Sequence, residues 1–281
     1  MFPTCSHVGG SGTTAFLTIP RRDYNSFSPP STLPVMLVAT SWWDNERKRL
    51  TIPKHPPEGR RVADSGGFLA HQRFGGFPYS IDQLADWALA RGAEWVACPD
   101  WPCEPEIARG EVDYRIQRTV DSAIEAMQRR PDCNWYPVLQ GWKVEDYLKC
   151  WCLYETAGVT PRAIGTLCRR GKARQIAAIL GDILAAHPGH RYHLFGVKLD
   201  ALKHPETAAA AESIDTAAWS MLDHRLKAAW GVNEYRISSS LAHKVGMTRC
   251  ELSTFLAERY YKRIQSLLTR NRQPVLWNFN Q

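Results

Sequence analysis

Recurrence is the feature that most constrains this chain. Short apolar runs rich in β-branched and aromatic residues return at roughly thirty-residue spacing, and a helix-like stretch follows each. The runs predict strands at 34–39, 61–64, 94–98, 135–139, 162–166, 192–197 and 213–215. Between them, Ser80-Ile81-Asp82-Gln83 has the form of a capping box opening 84–90, and Gly92 closes that stretch. Residues 112–128 and 174–186 are apolar along one stripe. Strand then helix, repeated about seven times, predicts a β/α barrel or a doubly wound sheet. No Gly-x-Gly-x-x-Gly follows the first strand and no Gly-Lys-Ser/Thr loop occurs, so the expected class is α/β, a TIM-type (β/α)8 barrel with a helical C-terminal segment. The eighth strand is expected at 274–279.

The flanks are expected to differ from this core. Residues 1–33 are rich in Ser, Thr, Gly and Pro, with Phe27-Ser28-Pro29-Pro30-Ser31 as the main breaker, and predict a lead-in arm. Residues 34–281 then form a single domain whose C-terminal part, about 223–272, is basic and helical. Residues 1–12 show no basic segment followed by an apolar one, and no apolar run approaches the roughly 20 residues of a membrane span, so the expectation is a cytoplasmic protein without membrane contact. Lys and Arg number 35 against 28 Asp and Glu, giving a net charge of +7, which agrees with a polyanionic partner without requiring one. The eight cysteines are scattered and read as reduced thiols.

In a barrel, catalytic groups stand at the C-terminal ends of several strands. Here those ends carry Asp64-Ser65-Gly66-Gly67-Phe68, Asp100, Gln140-Gly141, Gly165-Thr166-Leu167 and Asp215. Two carboxylates can run a displacement at an anomeric carbon, one as nucleophile and the other moving the leaving group's proton. A further Asp and a Gln can read the edge of a purine. Any one of these residues alone is equally at home as a turn residue.

Together they carry a resemblance. Asp64-Ser65-Gly66-Gly67-Phe68, Pro137-Val138-Leu139-Gln140-Gly141, Ala163-Ile164-Gly165-Thr166-Leu167, His193-Leu194-Phe195-Gly196-Val197 and Ile214-Asp215 are similar, in order and spacing, to the queuine/archaeosine tRNA-guanine transglycosylase family. The chain most resembles that family's DNA-acting relatives, the deazapurine DNA modification (DNA-guanine transglycosylase) proteins of bacteria and phages. The resemblance implies exchange of guanine in DNA for a 7-deazaguanine derivative. It implies Asp215 as nucleophile, with Asp200 in reserve, and Asp64 as general acid/base. Asp100, Gln140 and the Gly141 amide would bind the base edge, Gly165 and the Leu167 carbonyl its substituent side, and Phe68 and Phe195 would sandwich the ring. Both phenylalanines are also what a barrel core would contain.

The chain departs from the tRNA enzymes in places. Leu69 stands where Gln is usual, Thr166 where the second Gly of Gly-Gly-Leu is usual, and Thr216-Ala217-Ala218 follows the nucleophile instead of Pro-Thr-Arg. The Cys-x-Cys-x2-Cys and His cluster for zinc has no counterpart at familiar spacing; Cys150 and Cys152 lie upstream with Glu155 in the third position. The expectation is no metal and no cofactor beyond the deazaguanine co-substrate. A homodimer, frequent among tRNA relatives, is left open by the sequence.

Two basic stretches flank the predicted site: Arg47, Lys48 and Arg49 through Lys54 to Arg60 and Arg61, and Lys244 and Arg249 through Lys262 and Arg263 to Arg272. They suit phosphate neutralisation, and equally a solvated helix face. Within 240–255 the small and apolar positions fit a helix-turn-helix, or a plain helical hairpin packed on the barrel. Trp42, Trp43, Trp101 and Trp142 are candidates to hold a flipped base. Two alternatives stay open: a tRNA-guanine transglycosylase, and a barrel that binds nucleic acid without catalysis.

Overall fold

The computed structural model describes residues 13–19, 30–51, 58–222, 224–234 and 236–270. Its strands are β1 (Thr14–Thr18), β2 (Val35–Val38), β3 (Trp43–Asp44), β4 (Arg49–Leu50), β5 (Arg61–Asp64), β6 (Val96–Ala97), β7 (Trp135–Tyr136), β8 (Val138–Leu139), β9 (Ala163–Ile164), β10 (Tyr192–Leu194) and β11 (Ala211–Thr216). Apart from the small antiparallel β3–β4 hairpin, they pair in parallel in the order β7-β6-β5-β2-β1-β11-β10-β9-β8.

The two ends of that order are halves of one strand. Only Pro137 separates β7 from β8, and its missing N–H interrupts the ladder there. Its carbonyl still accepts from the Arg162 and Ala163 amides at 2.9 and 3.1 Å. Counted this way, eight parallel strands close a barrel, as the repeat predicts.

One strand was not where the sequence suggested. Thr14–Thr18, inside the expected arm, is β1, which pairs with β2 (Leu17↔Val35) and with β11 (Phe16↔Asp215). The five residues sit in Gly/Ser/Thr/Pro-rich surroundings, and both faces acquire neighbours only through pairing with distant chain, so local pattern does not reveal them. The expected strand 274–279 lies outside the described residues.

Side-chain alternation separates two apolar layers. Phe16, Met36, Val62, Trp95, Ala97, Tyr136, Val138 and Ala163 fill the barrel interior, with Phe195 packed at the edge of that cluster. Trp95 and Tyr136 stack there at 4.2 Å. The intervening strand residues, such as Val35, Leu37 and Ala63, pack outward with the helices in the larger core. Ser80 caps the helix Ile81–Leu89 with the reciprocal box its sequence predicts. The helices Val112–Arg129 and Ala173–Ala186 follow at the predicted places, with Val144–Thr156 between them.

At the C-terminal side, Ser239–Lys244 and Arg249–Arg270 form a helical hairpin turned at Gly246. Leu241, Ala242 and Leu252 are buried in it, and the long helix packs against β1 and the turn Ala218–Ser220. No described helix is long and apolar enough to cross a membrane.

Candidate active site

The alternation that fills the barrel also aims its polar residues. Thr18 lies two residues beyond Phe16, Asp64 two beyond Val62, and Gln140 two beyond Val138, so each continues an inward-facing row at the C-terminal end. Asp215 takes the same end of β11 and pairs with inward-facing Phe16. The strand ends therefore bring together Asp64, Asp100, Gln140 and Asp215.

Asp215 is buried and held from two sides. Thr18 Oγ1 donates to Oδ2 at 2.6 Å and the Gly196 amide donates to Oδ1 at 2.7 Å. His193, wholly buried on β10, places Nε2 3.4 Å from Oδ1, while its Nδ1 lies 2.9 Å from Ser213 Oγ. Asp200 is different: its side chain is 73% exposed and pairs with Lys203 at 2.6 Å.

Asp64 ends β5, and its Oδ1 accepts from the Gly66 amide at 2.8 Å. Burial, reinforced by the Asp100 carboxyl and more weakly by Asp215, pushes its pKa up to about 8, the Gly66 hydrogen bond opposing. Burial therefore favours its neutral form. The loop after it is fixed by residues with no motif signal: the Ser65 and Gly66 carbonyls each lie 3.0 Å from Thr40 Oγ1, and the Tyr79 hydroxyl donates to the Ser65 carbonyl.

Asp100 sits against this loop. A Cβ added at Gly67 would meet its Oδ1 at 2.5 Å, so only glycine permits the approach. Ser65 Oγ lies 3.1 Å from Oδ1, and Gln140 Nε2 donates to Oδ2. Burial raises the Asp100 pKa to about 6, held back by the hydrogen bonds from Gln140 and Ser65. Gln140 Oε1 in turn accepts from the Thr166 hydroxyl, and Gly165 leaves no room for a Cβ beside the Gln140 amide.

The remaining expected contacts are spread around this centre. Gly141 is buried against the first turn of Val144–Thr156, where the Trp142 and Lys143 amides donate to Asp146 Oδ2 at 2.9 and 2.7 Å. The Leu167 side chain is core, and its carbonyl accepts from the Arg170 amide at 3.2 Å. Phe195 is half-buried, edge-on to His193 at 4.5 Å; Phe68 is half-buried beneath the Arg169 guanidinium at 5.3 Å.

The basic residues lie on separate elements. Arg47, Lys48 and Arg49 are exposed on the β3–β4 hairpin. Arg60 and Arg61 enter β5 at the end opposite Asp64, and Arg60 pairs with Glu94 at 2.8 Å. Arg249 opens the long C-terminal helix; Lys262 and Arg263 are exposed farther along it. Lys54 and Arg272 lie outside the described residues. Trp42 and Trp43 are buried in the outer core, so they are not available to a flipped base, whereas Trp101 and Trp142 are half-buried.

On the helix Val144–Thr156, Cys150 is buried and Cys152 exposed, so the two thiols do not face a common centre. Among the described residues, no group of three or more His, Cys, Asp and Glu is placed to hold a metal ion.

No local pattern marks Thr18, which lies in the expected arm, or Glu104, a buried carboxyl whose Oε2 is 3.4 Å from Thr166 Oγ1. No curated protein matches the chain. A family model does, over residues 31–264, which takes in all four strand-end residues of the centre. The chain belongs to the DpdA (DeoxyPurine in DNA protein A) family, the DNA-guanine transglycosylases of the tRNA-guanine transglycosylase superfamily.

Proposed function

We propose that this chain exchanges guanine in DNA for a 7-deazaguanine derivative through a covalent intermediate on Asp215. Family membership supports a transglycosylase acting on DNA. The observation that carries the finer reading is two carboxyls at one barrel mouth: Asp64, whose pKa burial raises, and Asp215, oriented by Thr18 and Gly196.

An Asp215 oxygen attacks C1′ of the target nucleotide as the glycosidic bond breaks, and the departing guanine takes the Asp64 proton. The incoming deazaguanine gives its N9 proton to the Asp64 carboxylate and its nitrogen displaces Asp215 from C1′. One glycosidic bond replaces another, so no external energy source is required. The Asp100 carboxyl and Gln140 amide hold the purine edge, and Phe68 and Phe195 flank the ring, a stacking contribution of about 1–3 kcal/mol per base. The target base must leave the stack to reach this site. Arg47, Lys48 and Arg49, with Lys262 and Arg263, are the proposed phosphate contacts, and no metal takes part.

Incubation with radiolabelled guanine and either duplex DNA or tRNA tests the assignment. Incorporation into DNA is expected. Incorporation into tRNA alone transfers the chain to the tRNA reaction, and incorporation into neither removes the exchange activity.

A further inference from the structure

Glu104 is a wholly buried carboxyl that the reaction above does not use. Its Oε2 lies 3.4 Å from Thr166 Oγ1, and Thr166 Oγ1 also accepts from the Cys103 amide at 3.4 Å. Thr166 has a single hydroxyl proton. The Gln140 carbonyl oxygen takes it, because the other end of that amide is committed to donating to Asp100. Glu104 therefore faces only lone pairs on Thr166. An ionised carboxylate there meets repulsion, while a protonated one donates and completes a chain with one direction: Glu104 to Thr166 to Gln140 to Asp100.

One further fact sets Thr166 apart: its φ is +58°, a left-handed conformation that is strained for a β-branched residue. A glycine, usual here in the tRNA enzymes, would relieve that strain but carry no hydroxyl. The position is thus strained, and the hydroxyl it keeps links Gln140 to Glu104.

We propose that Glu104, in its protonated form, is a positioning residue that fixes the Gln140 amide through Thr166 and so sets recognition of the base edge. This rests on the base-exchange assignment above. Burial raises the Glu104 pKa to about 7, with the Asp100 and Glu106 carboxyls adding to it, and its backbone amide and, in the ionised form, a turned Thr166 hydroxyl opposing. The other titratable groups facing it from packed elements are the Cys103 and Cys168 thiols and the Tyr147 phenol. The Arg115 and Arg170 guanidiniums nearby are directed to the Pro102 and Trp142 carbonyls. As pH rises through about 7, Glu104 ionises, the Thr166 hydroxyl turns to it, and Gln140 loses its anchor.

The experiment measures kcat and the KM for the incoming base on the full chain, from about pH 6 to about pH 8.5, in the wild type, Glu104→Gln and Thr166→Gly. In the wild type, KM rises by roughly tenfold over this window, the size of one lost hydrogen bond to a charged network, and kcat moves less. Glu104→Gln, whose amide donates at every pH, keeps the low-pH KM throughout. Thr166→Gly folds without the strain and shows the high KM at every pH. A wild-type rise that survives in Glu104→Gln, or a Thr166→Gly KM that stays low, overturns the proposal.

A second readout does not depend on turnover. In infrared difference spectra, a protonated carboxyl band that titrates near pH 7 should be present in the wild type and missing in Glu104→Gln. Its absence from the wild type overturns the proposal, whereas a titrating band in a protein without exchange activity faults the assigned reaction and leaves the proton on Glu104.

Discussion

Thr18 Oγ1 donates to Asp215 Oδ2 at 2.6 Å, joining residues 197 positions apart in sequence. The contact exists because β1 pairs with β11 in a register that sets Phe16 beside Asp215 and leaves Thr18 at the barrel mouth. A strand near the start of the chain thereby orients the proposed nucleophile.

Replacing Thr18 with Val keeps the β-branched shape and removes the donor. The account predicts a loss of about tenfold in kcat, the worth of one hydrogen bond to a charged oxygen, with little change in melting temperature. Unchanged kcat in steady-state exchange assays would remove Thr18 from the orienting role.

Asp64 must donate a proton to the departing guanine. Asp64→Asn is expected to lower exchange by roughly 10²–10⁴-fold while DNA affinity, measured by fluorescence anisotropy, changes little. In the wild type, the single-turnover rate of base departure should fall as pH rises past about 8, where Asp64 ionises. A rate that climbs through that pH contradicts the acid role.

The same shift has a stability consequence. An Asp64 pKa raised from its ordinary value to about 8 means that the folded state holds more protons than the unfolded state between those two values. The contribution is fully present below the unfolded pKa and is lost as pH rises through about 8. Asp64→Asn removes the ionisable group, so above pH 8 it should melt a few degrees higher than the wild type, with the difference shrinking toward acid pH. Calorimetry at several pH values checks the sign.

Arg47, Lys48 and Arg49 project from the β3–β4 hairpin, where Arg47 lies 3.8 Å from Asp44. Changing all three to Ala should weaken DNA binding alike for all sequences and reduce the slope of log affinity against log salt by about 2–3. An unchanged slope would place the phosphate contacts elsewhere.

Much of the site was legible because its residues obey one rule: a polar side chain directly follows a buried run. Asp64, Gln140 and Asp215 are found that way, and Asp100 follows a short loop after its strand. The rest depended on the third dimension. β1 is five residues in a breaker-rich segment, and only its two distant partners make it a strand. Arg60 and Arg61 adjoin the Asp64 motif in sequence, yet about 10 Å of extended strand carries them to the other end of the barrel. Trp42 and Trp43 resemble surface stacking residues beside a basic run, but their rings are core. Glu104 has no local signal, since its significance lies in where one hydroxyl proton goes.

Base exchange as proposed passes through a bond between Asp215 and C1′ of the target nucleotide. Protein incubated with guanine-containing DNA in the absence of an incoming base, then denatured and digested, should yield a peptide carrying a nucleotide adduct on Asp215 by mass spectrometry. Asp215→Asn should yield none. An adduct located on Asp64 or Asp200, or one undiminished in Asp215→Asn, would contradict the account.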